Sequence, residues 1–144
     1  MTQPINPPVK ILFVCIGNSC RSQMAEGWAN YLGKGRVQAS SAGSHPFGSI
    51  VNDTYAAMSE KGISLDGQWS KGLRDVAVGE MDVVVGMGSE VEWSVPAGFK
   101  GRKVEWDVLD PYALDIETFR NVRDMIERQV LALLADLVVP DASK

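Results

Sequence analysis

Residues 11–28 read ILFVCIGNSCRSQMAEGW, and the change of pattern inside this stretch decides the fold. The apolar run before Cys15 is typical of a buried strand, and the residues after Arg21 favour a helix. A loop between a strand and a helix N-terminus gathers backbone N–H groups, and the helix dipole adds partial positive charge there. The stretch therefore predicts a cradle for a tetrahedral oxyanion.

Two side chains of this loop predict chemistry as well as binding. Arg21 can hold two oxyanion oxygens with its planar, permanently charged guanidinium. Cys15 lies in the same positive field, so we expect a thiolate nucleophile, with the Ser22 hydroxyl donating to it. The remaining loop residues, expected to bind the oxyanion or support the loop, are Ile16, Gly17, Asn18, Ser19 and Cys20. The alternative, in which Cys15 is an ordinary buried strand residue, explains the combination of strand, loop and helix less well.

The rest of the chain alternates between strand and helix patterns. Strands are predicted at residues 9–15, 37–41, 81–87 and 103–107, and helices at residues 22–32, 51–61 and 115–137. This order predicts an α/β fold: one three-layer domain over residues 1–144, with a parallel sheet and helices on both faces. We expect the ends, residues 1–8 and 140–144, to be frayed.

Composition argues against several classes of protein. The net charge is -4, which disfavours a general surface for nucleic acid or anionic membranes. No run approaches the roughly 18 apolar residues of a membrane span, and no secretion signal is evident, so we expect a cytoplasmic protein. One histidine and two cysteines give no clustered metal ligands, and we expect no metal site and no bound cofactor.

A poor leaving group must be protonated as it departs, so an attacking thiolate needs a carboxylic acid as a partner, and the segment beyond the fourth predicted strand offers candidates. Asp107, Asp110 and Asp115 lie close together there. Only Asp110 precedes a proline, Pro111, which restricts its backbone and can present the carboxyl group rigidly. The residues alone leave open a simple Asp-Pro turn before the last helix.

The loop sequence CIGNSCRS resembles the phosphate-binding loop of the low-molecular-weight protein tyrosine phosphatase superfamily, and SQMAEGW is similar to its arsenate reductase branch. The resemblance extends through Ser41-Ala42-Gly43, Gly62-Ile63, residues 81–87 and Asp110-Pro111-Tyr112. It implies the strand order 2-1-3-4, which places the loop at a topological switch point. It also implies that Asp110 is the general acid and base. Tyr112 resembles the aromatic residue that follows this motif in the phosphatase branch, and it either lines the substrate slot or serves as a packing residue.

The resemblance leaves three functional hypotheses. The leading one is a phosphomonoesterase that forms a phosphocysteine on a phosphorylated substrate. It rests on Cys15, Arg21 and Asp110 and on the lack of cysteine in residues 87–96, where thioredoxin-coupled arsenate reductases carry two. The alternative is an arsenate reductase served by an external thiol and a glutaredoxin- or thioredoxin-type reductant; Gln23, where the phosphatase branch usually has proline, favours it. The third is a non-catalytic oxyanion-binding protein.

Four further residues carry open predictions. Cys20 either forms a reversible disulfide with Cys15, as the resembled phosphatases do with the matching cysteine, or packs the base of the loop. His45 and Trp93 are candidates for the pocket rim. The resemblance also implies a potassium site in some arsenate reductases, but Lys71 occupies its acidic position here, so we expect an ammonium in place of the cation.

Overall fold

A four-stranded parallel sheet forms the centre of the molecule. The computed structural model describes residues 7–88 and 93–137. The strands are β1 (Val9–Cys15), β2 (Val37–Gly43), β3 (Val83–Met87) and β4 (Arg102–Trp106), in the order β2-β1-β3-β4. This confirms the predicted α/β fold and strand order. β2 runs two residues further than predicted, to Gly43, which becomes important at the site.

β1 is central because almost every residue of it is apolar. Ile11, Phe13 and Cys15 face the larger core, whereas Leu12 and Val14 face a smaller cluster on the other side of the sheet. A strand buried on both faces reads as a continuous apolar run, as this one does. Its last residue pairs in register with Gly43 of β2, so both strands end at the same edge.

Three α-helices contribute side chains to the larger core: α1 (Arg21–Leu32), α2 (Asn52–Ser59) and α3 (Ile116–Asp136). α3 follows the predicted helical spacing, and its first turn is capped by Asp115, whose carboxylate accepts a hydrogen bond from the Thr118 backbone N–H at 2.9 Å. α2 is shorter than predicted and ends at Ser59.

The second face of the sheet is covered by shorter helices than the first. In the described residues it is covered by loops and two 3₁₀ helices, Leu73–Asp75 and Val78–Glu80, packed around Leu12, Val14, Ala42 and Val84. Four glycines fall between residues 62 and 79, and each disfavours a longer helix there. The three layers are therefore the sheet, the α-helices on one face and the 3₁₀ helices and loops on the other.

No helix in the described part of the chain is long and apolar enough to cross a membrane. Apart from Pro7 and Pro8, the predicted frayed ends lie outside the described residues.

Candidate active site

A pocket opens where β1 ends and α1 begins, at the topological switch point between the neighbouring strands β1 and β3. The residues that line it are Cys15, Ile16, Gly17, Ser19, Cys20, Arg21, His45, Phe47, Asp110 and Tyr112. The fold thus brings together the loop of residues 15–22 with the segment after β2 and the segment after β4. All three predicted catalytic side chains lie in this one lining.

Hydrogen bonds from the segment after β2 and from α2 hold the carbonyl groups of the loop. The backbone N–H groups of His45 and Phe47 donate to the carbonyls of Ile16 and Gly17, each at 2.8 Å. The Thr54 hydroxyl donates to the Ser19 carbonyl at 2.9 Å. In contrast, the backbone N–H groups of Gly17, Ser19 and Cys20 have no protein acceptor among the described residues. Donors at the lining of a pocket beside a helix N-terminus suit an anion.

Gly43 lets the loop approach β2 closely. A Cβ atom at this position would lie 2.5 Å from the Ile16 carbonyl oxygen and 3.0 Å from the Asn18 backbone nitrogen. Neither atom can move without reshaping the loop. Glycine at the end of β2 is therefore required by the cradle itself.

Cys15 presents its sulfur at the base of the pocket. The residue is 2% exposed, and its Sγ lies 2.8 Å from the Ser22 Oγ. The Asn18 backbone N–H also donates to Sγ, at 3.3 Å, and Asn18 adopts a left-handed backbone with φ of 50° to do so. Asparagine tolerates that conformation better than most residues. The sulfur thus has two neighbouring groups that can donate hydrogen bonds to it.

Arg21 and Asp110 line the same pocket and lie next to each other. The Arg21 guanidinium is buried; it donates to the Val108 carbonyl at 3.1 Å and lies 3.7 Å from Asp110 Oδ2. The other Asp110 carboxylate oxygen accepts the Tyr112 backbone N–H at 3.1 Å, so the Asp-Pro turn orients the carboxyl group.

The structure separates Asp110 from the two neighbouring aspartates. Asp107 lines a different surface depression, with Gly88 and Trp106. Asp115 caps α3, and hydrogen bonds from Thr118 lower the pKa of its carboxyl group. Of these three, only Asp110 is placed to act in the pocket.

Behind the loop, a buried polar network centres on the Asn18 side chain. Its Nδ2 donates to the Ser22 Oγ at 2.8 Å and to the Ser41 Oγ at 2.9 Å. Ser41 in turn donates to Glu26 Oε1 at 2.6 Å. Gln23 also contacts Asn18, a contact that sequence reasoning did not find.

Lys71 and Glu26 end this network as a buried pair of opposite charges. The Lys71 Nζ lies 4.0 Å from Glu26 Oε1 and donates to the Trp69 carbonyl at 3.1 Å. Burial raises the pKa of Glu26, while the Ser41 hydrogen bond and Lys71 oppose the rise. Burial likewise lowers the pKa of Lys71, against the attraction of Glu26 and Asp75. The ammonium thus lies beside the residues where a cation was considered from the sequence.

Cys20 is a free thiol packed into the base of the loop, as Cys15 is a free thiol in the pocket. Its sulfur lies 3.7 Å from the Ser19 Oγ, and burial raises its pKa from 9.0 to about 11. At neutral pH Cys20 is therefore protonated, which suits packing better than attack. Its role as a redox partner of Cys15 stays a prediction.

The rim of the pocket is aromatic. Phe47 and Tyr112 are about half exposed, and their rings meet edge to face with centroids 5.4 Å apart. His45 lies beside them, as predicted, whereas Phe47 was not predicted. Trp93 does not line the pocket: it packs against Gly86 and the smaller core cluster, because the missing side chain of Gly86 leaves room for the indole.

The described residues contain no cluster of side chains suited to bind a metal ion. Nowhere in residues 7–88 and 93–137 do three or more His, Cys, Asp or Glu side chains gather so that they could hold a metal ion. The pocket chemistry described above relies on sulfur, guanidinium and carboxyl groups.

The sequence of the chain is similar to those of known proteins. A sequence model of the family "Low molecular weight phosphotyrosine protein phosphatase" matches residues 10–140. A "Glutaredoxin arsenate reductase" from Synechocystis sp. is 37% identical over 134 residues, which cover 89% of this chain and 98% of the relative. An "Arsenate reductase" from Staphylococcus aureus is 33% identical over 118 residues, 81% of this chain and 89% of the relative.

Solved structures agree in fold. An arsenate reductase in the phosphate binding state superposes with a TM-score of 0.79 at 34% identity, covering 89% of this chain and 98% of the other. A low molecular weight protein tyrosine phosphatase from T. tengcongensis superposes with a TM-score of 0.77 at 25% identity, covering 89% and 99%. Both branches of the predicted superfamily thus share this architecture.

Proposed function

The chain belongs to the low molecular weight phosphotyrosine protein phosphatase family, a family of cysteine-dependent enzymes, and we propose that it is an arsenate reductase that takes its electrons from an external thiol. The observation that carries this choice is the 37% identity to a glutaredoxin arsenate reductase over nearly the full length of both chains. The sequence alone favoured the phosphatase; the relatives support the alternative better.

The missing cysteines in residues 87–96 argue against an internal thiol relay and not against arsenate reduction itself. Arsenate and phosphate are both tetrahedral oxyanions of similar charge, so one cradle accepts either. The two chemistries differ in what happens after attack: hydrolysis needs water, and reduction needs two electrons from thiols. The choice between them depends on the reductant, which lies outside the chain.

In the proposed first step, the Cys15 thiolate attacks arsenic. Arg21 and the loop N–H groups bind the arsenate oxygens, an S–As bond forms, and one oxygen leaves as water after protonation. Asp110, 3.7 Å from the arginine, is the proposed proton donor. Arsenic remains in the +5 state at this point.

The reduction takes place in the second step. A small external thiolate attacks Cys15 Sγ, the S–As bond breaks, and its electron pair stays with arsenic, which leaves as arsenite in the +3 state. Cys15 is left in a mixed disulfide with the small thiol. A second thiol, from a glutaredoxin-type protein, exchanges with that disulfide and restores the Cys15 thiolate. Two thiols are oxidised to one disulfide for each arsenate reduced.

Cys20 is a poor candidate for the attacking thiol in the second step. Burial raises its pKa to about 11, so very little thiolate is present at neutral pH. This supports an external reductant.

Phosphatase activity is the second candidate, and one observation favours it. Asp110 lines the same pocket as Cys15 and Tyr112 and lies 3.7 Å from Arg21, so its carboxyl group is available to protonate an aryl leaving oxygen. We expect such turnover to be slower than arsenate reduction if the proposal is correct.

The test uses the same purified protein in two assays. Arsenate is supplied with glutathione, glutaredoxin, glutathione reductase and NADPH, and NADPH consumption is followed; an aryl phosphate is supplied separately without thiols. Arsenate-dependent consumption that vanishes in Cys15→Ser supports the reductase. If the protein turns over the aryl phosphate but shows no arsenate-dependent NADPH consumption with either glutaredoxin or thioredoxin, it is a phosphatase. If neither assay shows turnover but the protein still binds the oxyanion, the non-catalytic oxyanion-binding hypothesis is correct.

A further inference from the structure

Gln23 joins the loop to a distant part of the chain. Its side chain is fully buried, and its Nε2 lies 2.9 Å from Asn18 Oδ1, 3.1 Å from the Asn18 carbonyl and 3.0 Å from the Trp69 carbonyl. Gln68 Nε2 donates to the Gln23 Oε1 at 2.8 Å. One amide therefore bridges the curved loop and the segment that precedes Lys71.

The backbone settles which way these amides point. The Lys71 backbone N–H can only donate, and it lies 2.9 Å from Asn18 Oδ1, so that atom is the oxygen and the other is Nδ2. All three neighbours of the Gln23 Nε2 are oxygens, so this atom is the donor nitrogen, with its two protons shared among the three acceptors. Neither amide can be reversed without placing like groups face to face.

This orientation fixes the hydroxyl proton of Ser22. Its Oγ accepts a hydrogen bond from Asn18 Nδ2 at 2.8 Å, and its other neighbour is the Cys15 Sγ at 2.8 Å. A hydroxyl has one proton to give, so it points at the sulfur. The second donor to the sulfur is the Asn18 backbone N–H, which is aimed by the left-handed backbone of that residue. Both donors therefore depend on how Asn18 is held.

We propose that Gln23 is a positioning residue for the nucleophile: by binding the Asn18 amide and carbonyl, it keeps the Ser22 hydroxyl and the Asn18 N–H directed at Cys15. Hydrogen bonds to a charged acceptor are among the stronger ones in proteins. Loosening Asn18 therefore raises the energy of the thiolate relative to the thiol. The inference rests on the proposed function only in taking Cys15 as the attacking atom, which arsenate and phosphate chemistry share.

The test measures alkylation of Cys15 by iodoacetamide as a function of pH, with the modified cysteine identified by peptide mass spectrometry. Cys20, with its pKa of about 11, reacts slowly below pH 9 and is distinguished by its mass-labelled peptide. Gln23→Met keeps the length of the side chain and removes its donors. We expect its alkylation rate at pH 7 to fall about tenfold, with the high-pH plateau unchanged, because only the ionised fraction differs.

Thr54→Val is the matched control. It also removes a buried donor to a loop carbonyl, that of Ser19, but it leaves the Asn18 amide intact. Because the Asn18 amide is untouched, we expect the alkylation rate of Cys15 to keep its wild-type dependence on pH, with any effect of the freed Ser19 carbonyl appearing as the same factor at every pH. A role for Gln23 in loop order alone would change the rate at every pH by the same factor, and that result would overturn the proposal.

A wild-type profile for folded Gln23→Met also overturns it. If circular dichroism shows that this variant does not fold, Gln23→Asn replaces it, since the shorter amide cannot reach all three acceptors; a wild-type profile there has the same force. The assay contains no arsenate, so its outcome is separate from that of the proposed function. In the arsenate assay, the Gln23 variants should lose kcat more than they change KM.

Discussion

Replacing Lys71 with methionine tests whether the buried carboxylate of Glu26 needs an ammonium beside it. The two side chains are only 9% and 12% exposed, and their charged atoms are 4.0 Å apart. Opposite charges at that distance attract by about 4 kcal/mol at an effective dielectric constant of about 20. Removing one partner leaves a buried charge uncompensated, so we expect the free energy of unfolding to fall by about 3–5 kcal/mol at pH 8.

The loss should depend on pH in a defined direction. Burial already holds the pKa of Glu26 above its ordinary value of 4.5, and Lys71 opposes that rise, so removing Lys71 raises the pKa further. A carboxyl group with a raised pKa binds its proton more tightly in the folded state, so stability falls as the pH rises from the unfolded value through the folded one. Near pH 5 most of the loss should vanish. About 1 kcal/mol should remain for the lost hydrogen bond to the Trp69 carbonyl.

Urea unfolding of Lys71→Met at pH 5 and pH 8 measures both quantities. The double variant Lys71→Met with Glu26→Gln is the control: it leaves neither charge unpaired, so adding Lys71→Met to Glu26→Gln should not cost the loss of about 3–5 kcal/mol expected for Lys71→Met alone. An equal loss for the single variant at the two pH values would refute the reasoning, since it would show that Glu26 is not the group left uncompensated.

Three further predictions concern the pocket. Arg21→Lys should lower kcat/KM for arsenate by about 10²-fold, because an ammonium cannot reproduce the two hydrogen bonds of the planar guanidinium. Wild-type kinetics for this variant would show that the oxyanion binds at another site. Asp110→Asn should lower turnover of aryl phosphates by about 10²-fold or more, and less for better leaving groups across a substrate series; an equal loss for all of them would deny it the acid role. Because burial raises the pKa of Cys20 from 9.0 to about 11, folded stability should decline by up to about 3 kcal/mol between those pH values, a decline that urea titrations of Cys20→Ala should lack.

The loop and the sheet were predictable because their signals are local. The apolar run of β1, the glycine and asparagine of the loop and the start of α1 all fall within about twenty consecutive residues. Pro111 likewise marked Asp110 among three nearby aspartates. The resemblance supplied the strand order, which brings the segments after β2 and β4 to the same pocket.

What escaped prediction depends on contacts between distant residues. The Gln23 side chain donates to the Trp69 carbonyl, 46 positions later in the chain, and no sequence pattern near either residue predicts that hydrogen bond. Phe47 reaches the rim only because β2 runs on to Gly43 and the following segment pairs with the loop carbonyls. The position of Trp93 after β3 predicted a place at the pocket rim. Its indole instead packs against Gly86 and the smaller core cluster, where the glycine has no side chain to exclude it. Side-chain packing of this kind follows from the assembled fold.

The contact at Gly43 has a consequence for any attempt to change what the pocket accepts. The width of the loop is limited by β2, because the backbone of β2 at Gly43 lies so close to the Ile16 carbonyl that a methyl group does not fit between them. Enlarging the cradle for a bulkier oxyanion by mutating loop residues would leave that wall in place. An alanine at position 43 would push the loop inward and make the ring smaller. A redesign for larger anions therefore has to begin with the position of β2 and reach the loop through it.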